Sequence, residues 1–241
     1  MLQVVAVNLS SEIMENDFEF KLIKPELALS EFVESFWFLE NRSDQDKELV
    51  ILPDGRIDLT FSQSATEPFH ITLSGIETLP DKAILKAGCR MFAISFKLLS
   101  AEYVLHQTIS EFLNSANHLP DNFWDFNVAD LLDFELFCIK ASQTILKLLP
   151  KEYDTRKKNL FNLIYGSNGT LTVKELSEKV SWSSRQINRY FTQQFGLSLK
   201  AYCNILRFRA SFYQIKKGQL FPEQNFADQS HFIKEIKKLS G

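Results

Sequence analysis

Long apolar runs are missing: no segment approaches the roughly 18 consecutive apolar residues of a membrane-spanning helix, so no membrane partner is expected. Cysteine is scarce. Cys89, Cys138 and Cys203 lie far apart with no C-x-x-C pair, which argues against a disulfide framework or structural zinc and for free, buried thiols. His70, His106, His118 and His231 form no H-x-H or H-x-x-x-E group that would bring two ligands together, so neither a metal nor another cofactor is expected. G-x-S-x-G, phosphate-binding and dinucleotide-binding signatures are absent as well, and no catalytic constellation is left: an enzyme is not expected. The opening stretch MLQVVAVNLSSEIMEN has no basic segment and its apolar run breaks at Asn8, which argues against a signal peptide and for the cytoplasm.

What is present is an ordinary globular composition, 241 residues with 45% hydrophobic and 24% charged, enough for two domains of common size. Charge divides the chain. Residues 1–153 carry 12 Lys+Arg against 24 Asp+Glu, a net of −12, whereas residues 154–241 carry 15 against 6, a net of +9. The acidic whole hides a basic C-terminal module, the footprint of a phosphate-binding surface, with a chance excess of lysines as the bland alternative. Pro150-Lys151-Glu152-Tyr153 marks the boundary, giving a first domain over 1–150 and a second over 154–241.

The first hundred residues read as β-rich. Ser30 can cap a short helical turn before the strand-like FWFL, and LVILPDGRIDLTFS places two apolar runs around Pro53-Asp54-Gly55, so a hairpin is expected there. In its second run Ile57, Leu59 and Phe61 face one way while Arg56, Asp58 and Thr60 face the other. Arg56 and Asp58 then either face a cavity and bind a polar effector, or form a charged pair on the solvent side. Further strands are expected at 69–76, 83–90 and 91–98. From Ala101 the pattern turns helical, with Tyr103, Leu105, Ile109 and Phe112 near helical spacing, and a long amphipathic helix is expected over 128–150. Such a helix packs on its own sheet or offers a face to a second subunit, as in a homodimer.

The most informative stretch is Leu171 to Gly196, LTVKELSEKVSWSSRQINRYFTQQFG. Thr172 with Glu175, then Ser183 with Gln186, are two successive capping boxes that fix two helix starts. Val173, Leu176 and Val180 share a face of the first helix, and small Ser177 lets the second cross closely; Ile187, Tyr190, Phe191 and Phe195 make the second helix's buried stripe. The opposite arc carries Arg185, Asn188, Arg189 and Thr192, donors and acceptors suited to base edges and phosphates; a merely solvated polar face is the alternative. Ser198 then opens a long helix, and after Gly218 comes NFADQSHFIKEIKKLSG, a second cap-and-helix unit.

This region resembles the C-terminal DNA-binding domain of AraC-type transcription regulators, in which two helix-turn-helix motifs are bridged by one long helix. The matching residues are Leu176, Ser183, Ile187, Phe191, Gly196, Tyr202, Leu206 and Arg207, then Phe226, Asp228, Gln229, Ser230, His231, Phe232, Lys237 and Gly241. The order FWFLE, LPDGRIDLTF, SGI and ISF loosely resembles the N-terminal domain paired with such modules in one uncharacterised subgroup. The resemblance implies an α+β protein: a β-rich sensory or dimerisation domain, then an all-helical double helix-turn-helix domain bound to double-stranded DNA and answering to a small-molecule effector. It assigns Arg185, Asn188 and Arg189 to base-facing positions. A regulator-derived protein that no longer binds DNA is the alternative.

The second motif departs from the pattern. Only QLFPEQN separates Gly218 from Phe226, Pro222 fits no more than a helix's first turn, and Asn225 stands where a glycine is expected. The count leaves no room for a supporting helix, so an extended connector is expected from Gln219 to Asn225, followed by a helix from Asp228 that turns Gln229, His231 and Lys234 outward.

Overall fold

Among the described residues, which are 5–6, 17–216 and 237–239 of the computed structural model, nine strands form two antiparallel sheets. The larger has the order β2-β3-β8-β5-β6-β9, from β2 (Phe18–Ile23), β3 (Val33–Asn41), β5 (Ile57–Gln63), β6 (His70–Ser74), β8 (Arg90–Phe96) and β9 (Ala116–Leu119). The smaller has the order β1-β4-β7, from β1 (Val5–Ala6), β4 (Lys47–Ile51) and β7 (Asp81–Leu85). The α-helices include α1 (Leu99–Tyr103), which precedes β9, then α2 (Phe134–Leu148), α3 (Thr155–Gly166), α4 (Val173–Val180), α5 (Ser184–Phe195) and α6 (Leu199–Lys216). The fold class is α+β, β-rich first and helical after, as the sequence leads one to expect.

Alternation decides which face of the large sheet meets which layer. Phe36, Phe38, Leu59, Phe61, Phe92 and Ile94 point to one side, where Phe134, Phe137, Ala141 and Ile145 of α2 cover them. The opposite side carries Trp37, Leu39 and Met91, and there the small sheet adds Leu49 and Leu85. Cys89, Cys138 and Cys203 are free and buried.

Several expectations are corrected. The runs around Pro53-Asp54-Gly55 are not a hairpin, since β4 pairs with β1 and β7 while β5 pairs with β6 and β8, so the turn carries the chain from one sheet to the other. Ser30 does cap a short turn, at its C-terminal end: a 3-10 helix spans Leu27–Leu29 and the Ser30 hydroxyl donates back to the Leu27 carbonyl. The helix after Ala101 stops at Tyr103; His106 takes positive φ, and β9 follows where no strand was expected. The long helix begins at Phe134, because Asp133 accepts from the amides of Glu135 and Leu136 and resets the chain after a 3-10 turn at Val128–Leu131. The connector 219–225, the helix from Asp228, and Gln229, His231 and Lys234 lie outside the described residues.

The helical half rests directly on the β-rich half at Gly55, and a second glycine, Gly169, lets the turn after α3 lie against α6 within the helical half. Gly55, at φ +75° in the turn between the sheets, presents its carbonyl to the Tyr202 hydroxyl of α6 at 3.0 Å. Gly169, at φ +71°, ends the turn after α3, and a Cβ there would lie 2.5 Å from the Cys203 carbonyl oxygen.

Candidate functional site

Two regions gather side chains with chemistry. The first is the helix pair α4–α5. Both capping boxes form: Thr172 N–H donates to Glu175 at 2.7 Å and Glu175 N–H to the Thr172 hydroxyl at 3.2 Å, while Ser183 N–H donates to Gln186 at 3.0 Å and Gln186 N–H to the Ser183 hydroxyl at 3.2 Å. Ser181, in the left-handed region at φ 52°, ends α4 and makes the turn. Ser177 meets Ser184 across the crossing, hydroxyl to hydroxyl, at 3.1 Å. Ile187, Tyr190, Phe191 and Phe195 are buried, whereas Arg185, Arg189 and Thr192 are exposed and Asn188 is half-buried, its amide donating to the Ser184 carbonyl at 3.1 Å.

The first half fixes the pose of α5. Ile109 N–H donates to the Gln194 carbonyl at 2.7 Å, and Gly196, which ends the helix at φ +77°, sits against Ser110 so closely that a Cβ would lie 2.9 Å from its carbonyl oxygen. The Tyr190 hydroxyl donates to Glu102 at 3.2 Å, and Lys157 pairs with the same carboxylate while lying over the Tyr190 ring. Burial and the Glu102 carboxylate both raise the Tyr190 pKa, which keeps the hydroxyl a donor.

The second region surrounds Arg56 and Asp58, which lie neither in a hairpin with β4 nor on a solvent face. The side of β5 that carries them lies beneath the small sheet, so both point inward. They line a cavity of about 230 Å³ with Trp37, Leu39, Leu49, Ile51, Asp54, Thr60, Glu77, Leu85 and Met91 among its walls. The Arg56 side chain is only 4% exposed. Its Nη2 pairs with Glu34 at 3.2 Å and its guanidinium lies over the Tyr165 ring at 5.2 Å.

Glu34, unremarked in the sequence, is a hub. Lys24 at 2.9 Å, Arg209 of α6 at 2.8 Å and Lys97 at 3.8 Å join Arg56 on its carboxylate. Burial pushes this carboxyl up, but Arg56, Lys24 and Lys97 outweigh burial and leave it below the usual range. The other acids of the site go the opposite way. Burial raises Asp54, with Arg56 opposing it, and raises Asp58, with Asp54 adding repulsion and Ser95 and Trp37 opposing. Glu77 is pushed up to about 7 by burial and by Asp81. Asp58 Oδ1 is buried with no hydrogen-bond partner.

Of the residues expected from the sequence, the structure places Arg185, Asn188, Arg189 and Thr192 on one arc of α5, and Arg56 and Asp58 in one cavity wall. Asp54, Glu77 and Glu34 belong with the latter, yet the sequence offers no local signal for Glu34, whose partner Arg209 is 175 positions away. Among the described residues no group of three His, Cys, Asp or Glu side chains is arranged to hold a metal ion, and no helix is long and apolar enough to cross a membrane.

Residues 21–118 match a family described as a domain of unknown function, DUF6597. No curated protein matches the chain. Among solved structures, a point variant of apo ToxT from Vibrio cholerae strain SCE256 aligns over 93% of this chain and 94% of its own, at 10% identity and a TM-score of 0.41, a likeness too slight to inform function.

Proposed function

We propose that the chain is a sequence-specific, DNA-binding transcription regulator of AraC type, with a sensory and dimerisation domain over 1–150 that answers to a small-molecule effector and a DNA-binding domain over 154–241. The observation that carries the reading is the α4–α5 pair: two helices capped at both starts and crossing at Ser177 and Ser184, with Arg185, Arg189 and Thr192 on the exposed arc of the second. That is the geometry in which a recognition helix enters the major groove while its partner spans the backbone. The net of +9 over residues 154–241 supplies the attraction to phosphates.

The effector side of the reading is supported by the cavity lined by Arg56 and Asp58 and by its link to α6. Asp54, Gly55 and Arg56 are consecutive; the first and last line the cavity, the middle one accepts from Tyr202, and Glu34 joins Arg56 to Arg209. An occupant that shifts this segment therefore acts on the helix that follows α5. Dimerisation is supported by Leu136, Ile139 and Leu146, exposed at helical spacing on the outer side of α2.

Salt dependence tests the DNA reading. If about six phosphates are neutralised, log K falls with log salt at a slope of about −5. Binding to promoter fragments and random duplex without any such slope overturns the reading and leaves a protein that works through ligand contacts alone.

A further inference from the structure

The cavity between the two sheets has walls of two kinds. Trp37, Leu39, Ile51, Leu85 and Met91 make an apolar part, and Asp54, Asp58 and Glu77 stand in the same lining with Arg56. Its volume of about 230 Å³ is at the small end of ligand pockets, so an occupant is small. Asp58 Oδ1 is buried and accepts no hydrogen bond, a state that an incoming donor would relieve.

The sign of the head group follows from the charges in that wall. Three carboxyls stand against one guanidinium, a net of −2 when all are ionised. Arg56 is already committed: Glu34, outside this lining, holds its Nη2 at 3.2 Å, and Tyr165 lies under its guanidinium. Arg56 Nε and Nη1 are also without partners and could meet a carboxylate ligand, but that carboxylate would sit among three others. We propose that this cavity binds a small amphipathic cation, an amine or guanidine on an apolar body, whose head donates to Asp58 Oδ1, with Glu77 in the same lining, and whose body lies among Trp37, Leu39 and Leu85. Burial raises the Asp58 and Glu77 carboxyls, and a cation at this point restores the charged form that burial disfavours. The ligand class deepens the effector reading and rests on it only for a consequence at DNA, because occupancy is measured without DNA.

The test titrates the full chain at about pH 8, above the Glu77 value, with hexylamine, octylamine and 2-phenylethylamine, each against its alcohol and its carboxylate counterpart. Calorimetry gives the affinity, and a change in tryptophan fluorescence that disappears in Trp37→Phe reports filling of the cavity. At least one amine is expected to bind about tenfold tighter than its alcohol, the carboxylates not at all, and Asp58→Asn to weaken the amine about tenfold, the worth of one charge-assisted hydrogen bond. Glu77→Gln, a second variant should the first not fold, is expected to weaken it about threefold, a charge facing the head without bonding it. An alcohol or carboxylate that binds as tightly as its amine, no amine bound, or amine affinity unchanged in the variants that fold would overturn the proposal. DNA binding without amine binding sinks the ligand class alone; amine binding with DNA affinity unmoved sinks the effector role and leaves the site standing.

Discussion

The two halves of the molecule treat charge in opposite ways. The β-rich half, besides the ion pairs on its surface, takes charged groups inside: Arg56 is 4% exposed, Glu34 gathers four cations, and Asp58 keeps an unpartnered oxygen in a cavity wall. In the helix pair the charges are outside, and the polar groups that structure requires are matched locally, each cap by a residue three positions on. Burying a charge is costly unless partners surround it, so the first arrangement holds its shape by mutual dependence and changes state when a partner or proton arrives. The second needs nothing beyond its own turn of helix to stay folded, and its arginines are free to meet an outside anion. A sensor and a reader would place opposite demands on charge, and the contrast is the one the proposed function requires.

The largest effect is expected at Glu34. Replacing Glu34→Gln leaves buried Arg56 without its ion-pair partner and with Asp54 and Asp58 nearby as the acids that act on it, and removing one partner of a buried pair costs about 3 to 5 kcal/mol. Chemical denaturation should show a loss of about 3 kcal/mol, since Asp54 retains part of the balance. The exposed pair Glu48–Lys82 is the control, and Glu48→Gln should leave the midpoint where it is. Equal effects at the two positions would mean that the hub is no more than a surface cluster.

A smaller effect, opposite in sign, is expected at Asp58. Its carboxyl is raised in the folded protein, so the native state holds a proton that the unfolded chain has already released. The sign follows: stability contributed by that proton is present at low pH and lost as pH rises toward and through neutrality, with Asp54 and Glu77 raised alongside. Asp58→Asn removes the titration. Thermal melts should place the variant above the parent by more at about pH 8 than at about pH 5. A difference that is the same at both pH values, or larger at the lower, would show that Asp58 is not held neutral by its surroundings.

What could be read from the sequence divides along the same line. Thr172 with Glu175 and Ser183 with Gln186 are contacts within one helical turn, so spacing alone located both helix starts and the arc with Arg185 and Arg189. The turn Pro53-Asp54-Gly55 was just as plain, yet a turn does not choose strand partners: β4 and β5 enter different sheets because β7 and β8 arrive later in the chain. That misplacement put Arg56 and Asp58 on a solvent face in one of the two readings. The cavity they line is roofed by Ala83 and Leu85 of β7, which nothing near residue 56 announces. β9 escaped because Ala116–Leu119 is polar and mostly exposed, with no alternation to detect.

The smallest effect on folding, and the most telling for the reader, is expected at Arg189. Its side chain is exposed on α5, and among the described residues no ion pair holds it, so Arg189→Ala should change stability by no more than about 0.5 kcal/mol, as surface substitutions do. Its effect at DNA depends on what it touches. A bidentate contact to one base edge should cost about 1 to 3 kcal/mol at that base pair and relax preference there alone, whereas a phosphate contact should weaken all sequences alike and reduce the salt slope by about 1. Selection of bound duplexes from a random pool, run on parent and variant at one salt concentration, separates the two. The base-reading assignment predicts a preference lost at a single position with the rest of the motif intact; uniform weakening would make Arg189 a phosphate clamp, and no change in either measure would remove the exposed arc of α5 from the interface.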